Sequence, residues 1–232
     1  MARFTTAYSS FITRLNEVEI LRNAAAQKEL QDPINFGNEI NALSRGAIVL
    51  LSSHLEAYIK ELGESALDSL SAQRAHRNDL SDRFFYHLSK DVIDEIKDTS
   101  EPERIGGKIF DFLNRDQPLW SRSGVFPIQI DNERFNKGFS NPSFKKIKSY
   151  FNRFGYSDFQ KDLTAKLRSD YSAVVNMIDH LVGVRNKIAH GDPGASKTPS
   201  EVLDMVNFVR RFCQTTDSAF ATWWKLNYCS IR

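Results

Sequence analysis

The chain has 232 residues, 41% of them hydrophobic, and 31 basic against 29 acidic side chains leave a formal net charge of +2. That length and composition let it bury a sizeable core as one large domain or one domain with an insertion, and the near-neutral balance excludes a nucleic-acid role carried by global charge, leaving only local patches. No stretch approaches the run of about 18 apolar residues that a membrane helix needs, and the N-terminal MARFTTAYSSFITRL has no sustained apolar segment, so a soluble, cytoplasmic protein with no membrane partner is expected.

The only cysteines, Cys213 and Cys229, lack metal-ligand spacing and read as buried thiols of a reducing compartment. Residues 6–30 place Phe11, Leu15, Val18, Leu21 and Ala25 at helical spacing, with charged residues on the other faces, and Asp32-Pro33 ends this amphipathic helix. A second helix, residues 35–70, uses Phe36, Ile40, Leu43, Ala47, Leu50, Leu51, Leu55, Tyr58 and Leu62. Its middle, 46–51, is apolar nearly all round, which points to burial between neighbours or at a subunit interface. His54 within it reads as a packed helix histidine. Glu56, two positions on, points elsewhere and has two readings, a solvated charge or a site residue.

Residues 71–78, SAQRAHRN, read as a connector or a phosphate-contacting rim, and 79–97 resume helical spacing with Asp79 or Ser81 as cap. Residues 99–142 hold four of the seven prolines and four glycines and read as an insertion, with a short helix at 105–113 and a short extended piece at 125–130. Asn141-Pro142-Ser143 opens a basic helix in which Lys145, Lys146, Lys148 and Arg153 alternate with Phe144, Ile147, Tyr150, Phe151 and Phe154. The aromatics share a face that fits a core, and the basic residues are the candidate RNA-binding patch outside the motif described next. Asp91, Asp94 and Glu95 read as a solvated face.

A short helix over 157–167 leads into a longer one that begins near Asp170, with apolar or small residues at Tyr171, Val174, Val175, Ile178, Leu181, Val182, Val184, Ile188 and Ala189. Position 185 lies on that apolar face, three residues after Val182, and is an arginine, whose charge requires acceptors or an anion. His190, Gly191 and Pro193 mark the helix end. On a continuous helix, five residues turn the side chain by about 140°, so Arg185 and His190 meet only if the last turn deviates or a second chain completes the site. Thr198-Pro199-Ser200-Glu201 then fits a capping box for a final helix through Val202, Met205, Val206, Val209 and Phe212.

Arg185-Asn186-Lys187-Ile188-Ala189-His190-Gly191 resembles the signature of the HEPN superfamily: arginine, a polar residue, then histidine after four to six residues at a helix end. Residues 44–62, SRGAIVLLSSHLEAYIKEL, are similar to the first long helix of its RiboL-PSP-like branch, a small-residue run leading into Leu-Glu-aromatic. The resemblance implies an all-α helical bundle of five to seven helices, here 1–232 with the insertion at 99–142. It further implies a metal-independent, cofactor-free endoribonuclease acting as a homodimer in toxin–antitoxin or phage-defence settings. By that resemblance Arg185 steadies the phosphorane, His190 transfers protons, Asn186 helps hold them, Lys187 contacts RNA and Glu56 is a polar partner. Members neutralised by nucleotidyl transfer carry tyrosine two residues after the histidine; here Asp192 stands there, which argues against an antitoxin of that kind.

RNA brings its own nucleophile, so such a site needs a proton acceptor, a proton donor and a cation, without a metal. One histidine per chain supplies half of the proton transfer, and a twofold dimer would complete it. The expected products are a 2′,3′-cyclic phosphate and a 5′-hydroxyl. No zinc-protease, Cys-x-x-Cys, nucleophile-elbow or dinucleotide fingerprint competes. The alternative is a non-catalytic module of the same fold that binds RNA, nucleotide or a protein partner. A purely structural role would fit an Arg185 paired to a carboxylate of its own chain.

Overall fold

A computed structural model of the protein describes residues 4–126 and 128–231. Thr5 starts helix α1 (Thr6–Gln31), its hydroxyl accepting from the Tyr8 amide. The same hydroxyl and the Thr5 amide donate to Asp217, buried in the last helix, so the first turn is tied to the far end of the chain. Phe11, Leu15, Val18 and Ala25 are fully buried along one side of α1, as the spacing predicts. Asp32 then accepts from the amides of Ile34 and Asn35, closing a tight turn.

Helix α2 (Gly37–Ala72) is the axis of the molecule, 36 residues that span about 54 Å. It packs against α1, against α9 (Tyr171–Ala189) and against α10 (Pro199–Asn227). Arg14 reaches from α1 to Glu61 with two bonds of 2.6 and 2.9 Å, and Tyr58 Oη donates to the Cys213 carbonyl at 2.9 Å. His54 is a packed helix histidine, as read from the sequence; its Nε2 lies 3.3 Å from Glu17, and burial lowers its pKa despite that carboxylate. The full capping box at Thr198 and Glu201 starts α10. Cys213 is buried, but Cys229 is only half-buried beside Ser69, a correction to the expectation of two buried thiols: it lies just past the end of α10, outside the packed helices.

All regular elements among the described residues are helical, in keeping with the all-α expectation, and one hydrophobic core runs from Ala7 to Trp224. The expected helix over 79–97 is two, α3 (Asp82–Leu88) and α4 (Lys90–Lys97), broken at the buried Ser89. Ser81 is the cap of α3. The segment 99–142, expected as an insertion, is more ordered than its prolines suggest. Its first half is α5 (Pro102–Arg115), longer than the short helix expected because Pro102 occupies the first turn, where its missing amide proton costs nothing. Its second half, with α6 (Asn132–Asn136), feeds Phe126, Phe135 and Phe139 into the core; Phe135 packs 5.3 Å from Phe84 and 4.8 Å from Phe154. The expected extended piece reduces to a single bridge between His76 and Val125, and Pro127 within it lies outside the described residues. The 71–78 connector offers no phosphate rim at Arg77, which is buried and donates to the carbonyls of Pro118 and Ser123.

Helices α7 (Phe144–Arg153) and α8 (Phe159–Leu167) close the bundle. Phe144, Ile147, Tyr150, Phe151 and Phe154 are all buried, so the aromatic half of the basic helix is core and has no face for bases to stack on. The Asp179 carboxylate, on α9, accepts from the Phe144 amide at 2.8 Å, capping α7 from outside and fixing it to the motif helix.

Candidate active site

Helix α9 buries Val174, Val175, Ile178, Leu181, Val182 and Val184. It stays regular to its end, where His190 N–H bonds the Asn186 carbonyl at 3.0 Å. Gly191 takes φ +79°, its amide bonds the Ile188 carbonyl, and the Asp192 amide bonds the Lys187 carbonyl, the two bonds of a Schellman end. A side chain at 191 would oppose that left-handed turn, which is why glycine stands there. The last turn therefore does not deviate, and Arg185 and His190 project about 140° apart with a rise of about 7.5 Å.

Arg185 is half-buried. Its Nη1 donates to Asn141 Oδ1 at 2.9 Å and to Asn186 Oδ1 at 3.2 Å. Both acceptors are neutral amides, and no carboxylate among the described residues lies within 4 Å of the guanidinium. Nε and Nη2 make no hydrogen bond with a described residue, so the paired edge that matches phosphate oxygens is open. His190 and Lys187 are exposed.

Glu56 joins this group through an intermediary. Its Oε2 accepts from the Asn141 amide at 3.0 Å, and its Oε1 from Lys60 at 2.8 Å. Lys60, Glu56, Asn141, Arg185 and Asn186 thus form one chain of contacts between α2, the end of the insertion and α9. Further along α2, Arg45 Nη1 donates to the Asp192 carbonyl at 2.8 Å and Asn41 Oδ1 accepts from Ser196 at 2.7 Å, pinning the loop that follows the histidine. Because Glu56 serves the Arg185 end and Arg45 the His190 end, α2 and α9 run antiparallel here.

The structure thus brings Arg185, Asn186 and Glu56 together and leaves His190 on the open side. Asn141 is a member that sequence reasoning missed. Its signal in the sequence is the Asn-Pro-Ser turn, which by itself marks only the start of a helix. Among the basic residues of α7, Lys145 and Lys146 are exposed, and Lys146 Nζ bonds the Ser140 carbonyl beside Asn141. Lys148 turns to Gln160 of α8. Arg153 packs on the Tyr150 ring and donates to the carbonyls of Phe135 and Lys137; its burial lowers its pKa. It is half-buried and holds the end of α6.

The three acidic residues expected as a solvated face, Asp91, Asp94 and Glu95, are partly engaged as well, Glu95 with Lys108 at 3.4 Å. Asp91 binds Arg134 at 2.7 Å, and Asp94 binds Lys90 and Tyr86. Among the described residues, no group of three His, Cys, Asp or Glu side chains is placed to hold a metal ion, and no helix is long and apolar enough to cross a membrane.

A helical bundle whose motif helix ends on an arginine, four intervening residues and a histidine defines a HEPN-type domain. The family model of RiboL-PSP-HEPN matches residues 9–222, and the chain belongs to that family. Comparison with curated proteins and with solved structures gives no match. Domains of this family are RNase-like or nucleotide-related modules.

Proposed function

We propose that the protein is a metal-independent endoribonuclease that cleaves RNA by attack of the 2′-hydroxyl on the adjacent phosphate. The observation that carries this reading is the state of Arg185: a half-buried cation, held by two amide oxygens and left without a carboxylate. Arg134 at a similar depth is matched by Asp91 and Asp116, and Arg77 and Arg153 are spent on backbone carbonyls that fasten residues 118–137, whereas Arg185 lies on the motif helix with its Nε and Nη2 edge unbonded. An arginine held in that way by neutral acceptors keeps its full charge for an incoming anion.

In this reading Arg185 meets the phosphorane with Nε and Nη2, His190 moves protons, and Asn186 and Glu56 support the arginine. Lys187, Lys145 and Lys146 supply phosphate contacts on the rim. Since one regular helix sends Arg185 and His190 in different directions, we place the complete site between two copies of the chain. The half-covered Val49 and Leu50 of α2 belong to the surface the second copy would bury. In the one cleft the two copies share, one histidine accepts the 2′-hydroxyl proton as oxygen attacks phosphorus, and the other donates to the departing 5′-oxygen. The products are a 2′,3′-cyclic phosphate and a 5′-hydroxyl, with no net redox change. The biological setting we infer is a toxin–antitoxin or phage-defence system, with Asp192 in place of a modifiable tyrosine arguing against control by nucleotidyl transfer.

The test is cleavage of a panel of single-stranded and structured RNAs in EDTA by wild type, Arg185→Ala and His190→Ala, with analysis of product ends. Cyclic-phosphate ends made by wild type and lost in both variants are expected. Wild type that binds RNA and leaves it intact, with a dimer verified by light scattering, would assign the protein instead to the non-catalytic modules of this fold.

A further inference from the structure

We propose that Asn141 is the positioning residue for Arg185: it restrains the guanidinium without neutralising it and couples the end of the insertion to the active site. The catalytic consequence rests on the ribonuclease reading; the positioning itself does not.

Three observations meet at this residue. The first is its pair of contacts. Its side-chain oxygen accepts from Arg185 Nη1 at 2.9 Å while its own amide donates to Glu56 at 3.0 Å. An acceptor fixed from behind orients a guanidinium better than a free one, because the entropy of ordering it has already been lost. The second is its backbone, at φ +52° directly before Pro142. Proline pushes the preceding residue toward extended conformations, and a side chain at positive φ is disfavoured, so the conformation is strained and persists only because its surroundings impose it. The third is the rail on which the segment sits. Asp68, Glu64 and Glu56, at four- and eight-residue steps along one face of α2, receive the insertion in register: Asn132 Nδ2 on Asp68, Asn136 Nδ2 on Glu64 and the Asn141 amide on Glu56. Tyr150 Oη adds a bond to Asn136 Oδ1 at 2.5 Å. The insertion is thus docked along α2 by its amides, and the last of them holds Arg185.

The choice of asparagine is explained by charge. An aspartate at 141 would present the same acceptor but pair with the arginine, weakening its pull on a phosphate. A glycine would accept the backbone conformation without strain and remove the acceptor.

The experiment uses the full chain as wild type, Asn141→Gly and Asn141→Asp, with Arg185→Lys to assign the arginine signal. Side-chain NMR should show a resolved Arg185 guanidinium resonance in wild type, retained in Asn141→Asp and lost in Asn141→Gly, whose melting temperature stays equal or rises. With RNA, kcat for Asn141→Gly falls roughly tenfold to a hundredfold at unchanged KM, the scale of one hydrogen bond to a charged group. For Asn141→Asp, the new carboxylate pairs with Arg185, so activity should fall relative to wild type at neutral pH although the resonance is retained. An Arg185 resonance that is absent from wild type or unchanged in Asn141→Gly overturns the assignment, as does an unchanged kcat in that variant. Loss of the resonance in a protein whose wild type never cleaves RNA would uphold the positioning role and remove the nuclease reading.

Discussion

A guanidinium keeps its charge at any accessible pH, so what distinguishes Arg185 is how it is held. Nη1 is committed to Asn141 and Asn186, and the opposite edge is open. A lysine at 185 would keep the charge and lose both the held nitrogen and the paired edge. Arg185→Lys is therefore expected to lower kcat by roughly a hundredfold, the scale of removing a preorganised donor, with a melting temperature within a few degrees of wild type. Single-turnover cleavage beside a thermal melt checks it; wild-type turnover in the lysine variant would mean that only a point charge is needed. Arg185 and His190 stand out in the sequence because the motif carries its own spacing, whereas Glu56 has two readings there, a solvated charge or a site residue. Asn141 does not stand out, since a turn residue's role depends on what lies 44 and 85 positions away.

At the scale of elements, the long helices were legible from periodicity, and their ends from Thr198-Pro199, Asp32-Pro33 and Gly191. Less legible was the region in which each helix is short and is held by others. The aromatics of the insertion gave no period, yet Phe126, Phe135 and Phe139 reach the core. The contact that lets this happen is the approach of α7 to α2 at Gly63, where an added Cβ would overlap the Tyr150 hydroxyl and ring and press on Phe154. Helix propensity favours alanine at 63, but the overlap is with packed rings and with the hydroxyl that holds Asn136. Gly63→Ala should destabilise the protein by about 1–3 kcal/mol, the usual cost of overpacking, and loosen the insertion. Denaturant melts measure the first effect. Faster amide exchange over 130–142 reports the second, and unchanged exchange there would show that Tyr150 is not what fastens the segment. Removing the α10 cap by Thr198→Ala should cost about 1 kcal/mol and leave that exchange as it is, since the box touches only the start of its own helix.

Across the whole molecule, the groups whose titration opposes folding in acid lie mainly on one side. His87 of α3 is pushed down to about 4 from 6.5, by burial first and then by Arg153 and Lys90. It folds neutral, whereas the unfolded chain binds the proton from pH 6.5 downward, so stability is lost as pH falls from 6.5 to about 4. Asp91 and Asp116 follow. Burial raises both, but the Arg134 hydrogen bonds outweigh it and hold them below the ordinary carboxylate value, so their contribution is present above that value and lost as pH falls through the lowered one. These residues join α3, α4 and α6 to the turn after α5. The carboxyls buried nearer the main bundle behave in the opposite way. Burial raises Glu64 and Asp217, so each becomes easier to keep inside as pH falls through its raised value. Acid should therefore open residues 82–136 before it opens α2, α9 and α10. Hydrogen exchange at pH 7 and at pH about 4 checks this: protection lost first over 82–136, with the core of α9 still protected, is the expected result, and simultaneous loss along the whole chain would place the acid-labile contacts elsewhere. His87→Phe, which removes the proton-binding ring and keeps an apolar one beside Phe135, should shift that opening to lower pH.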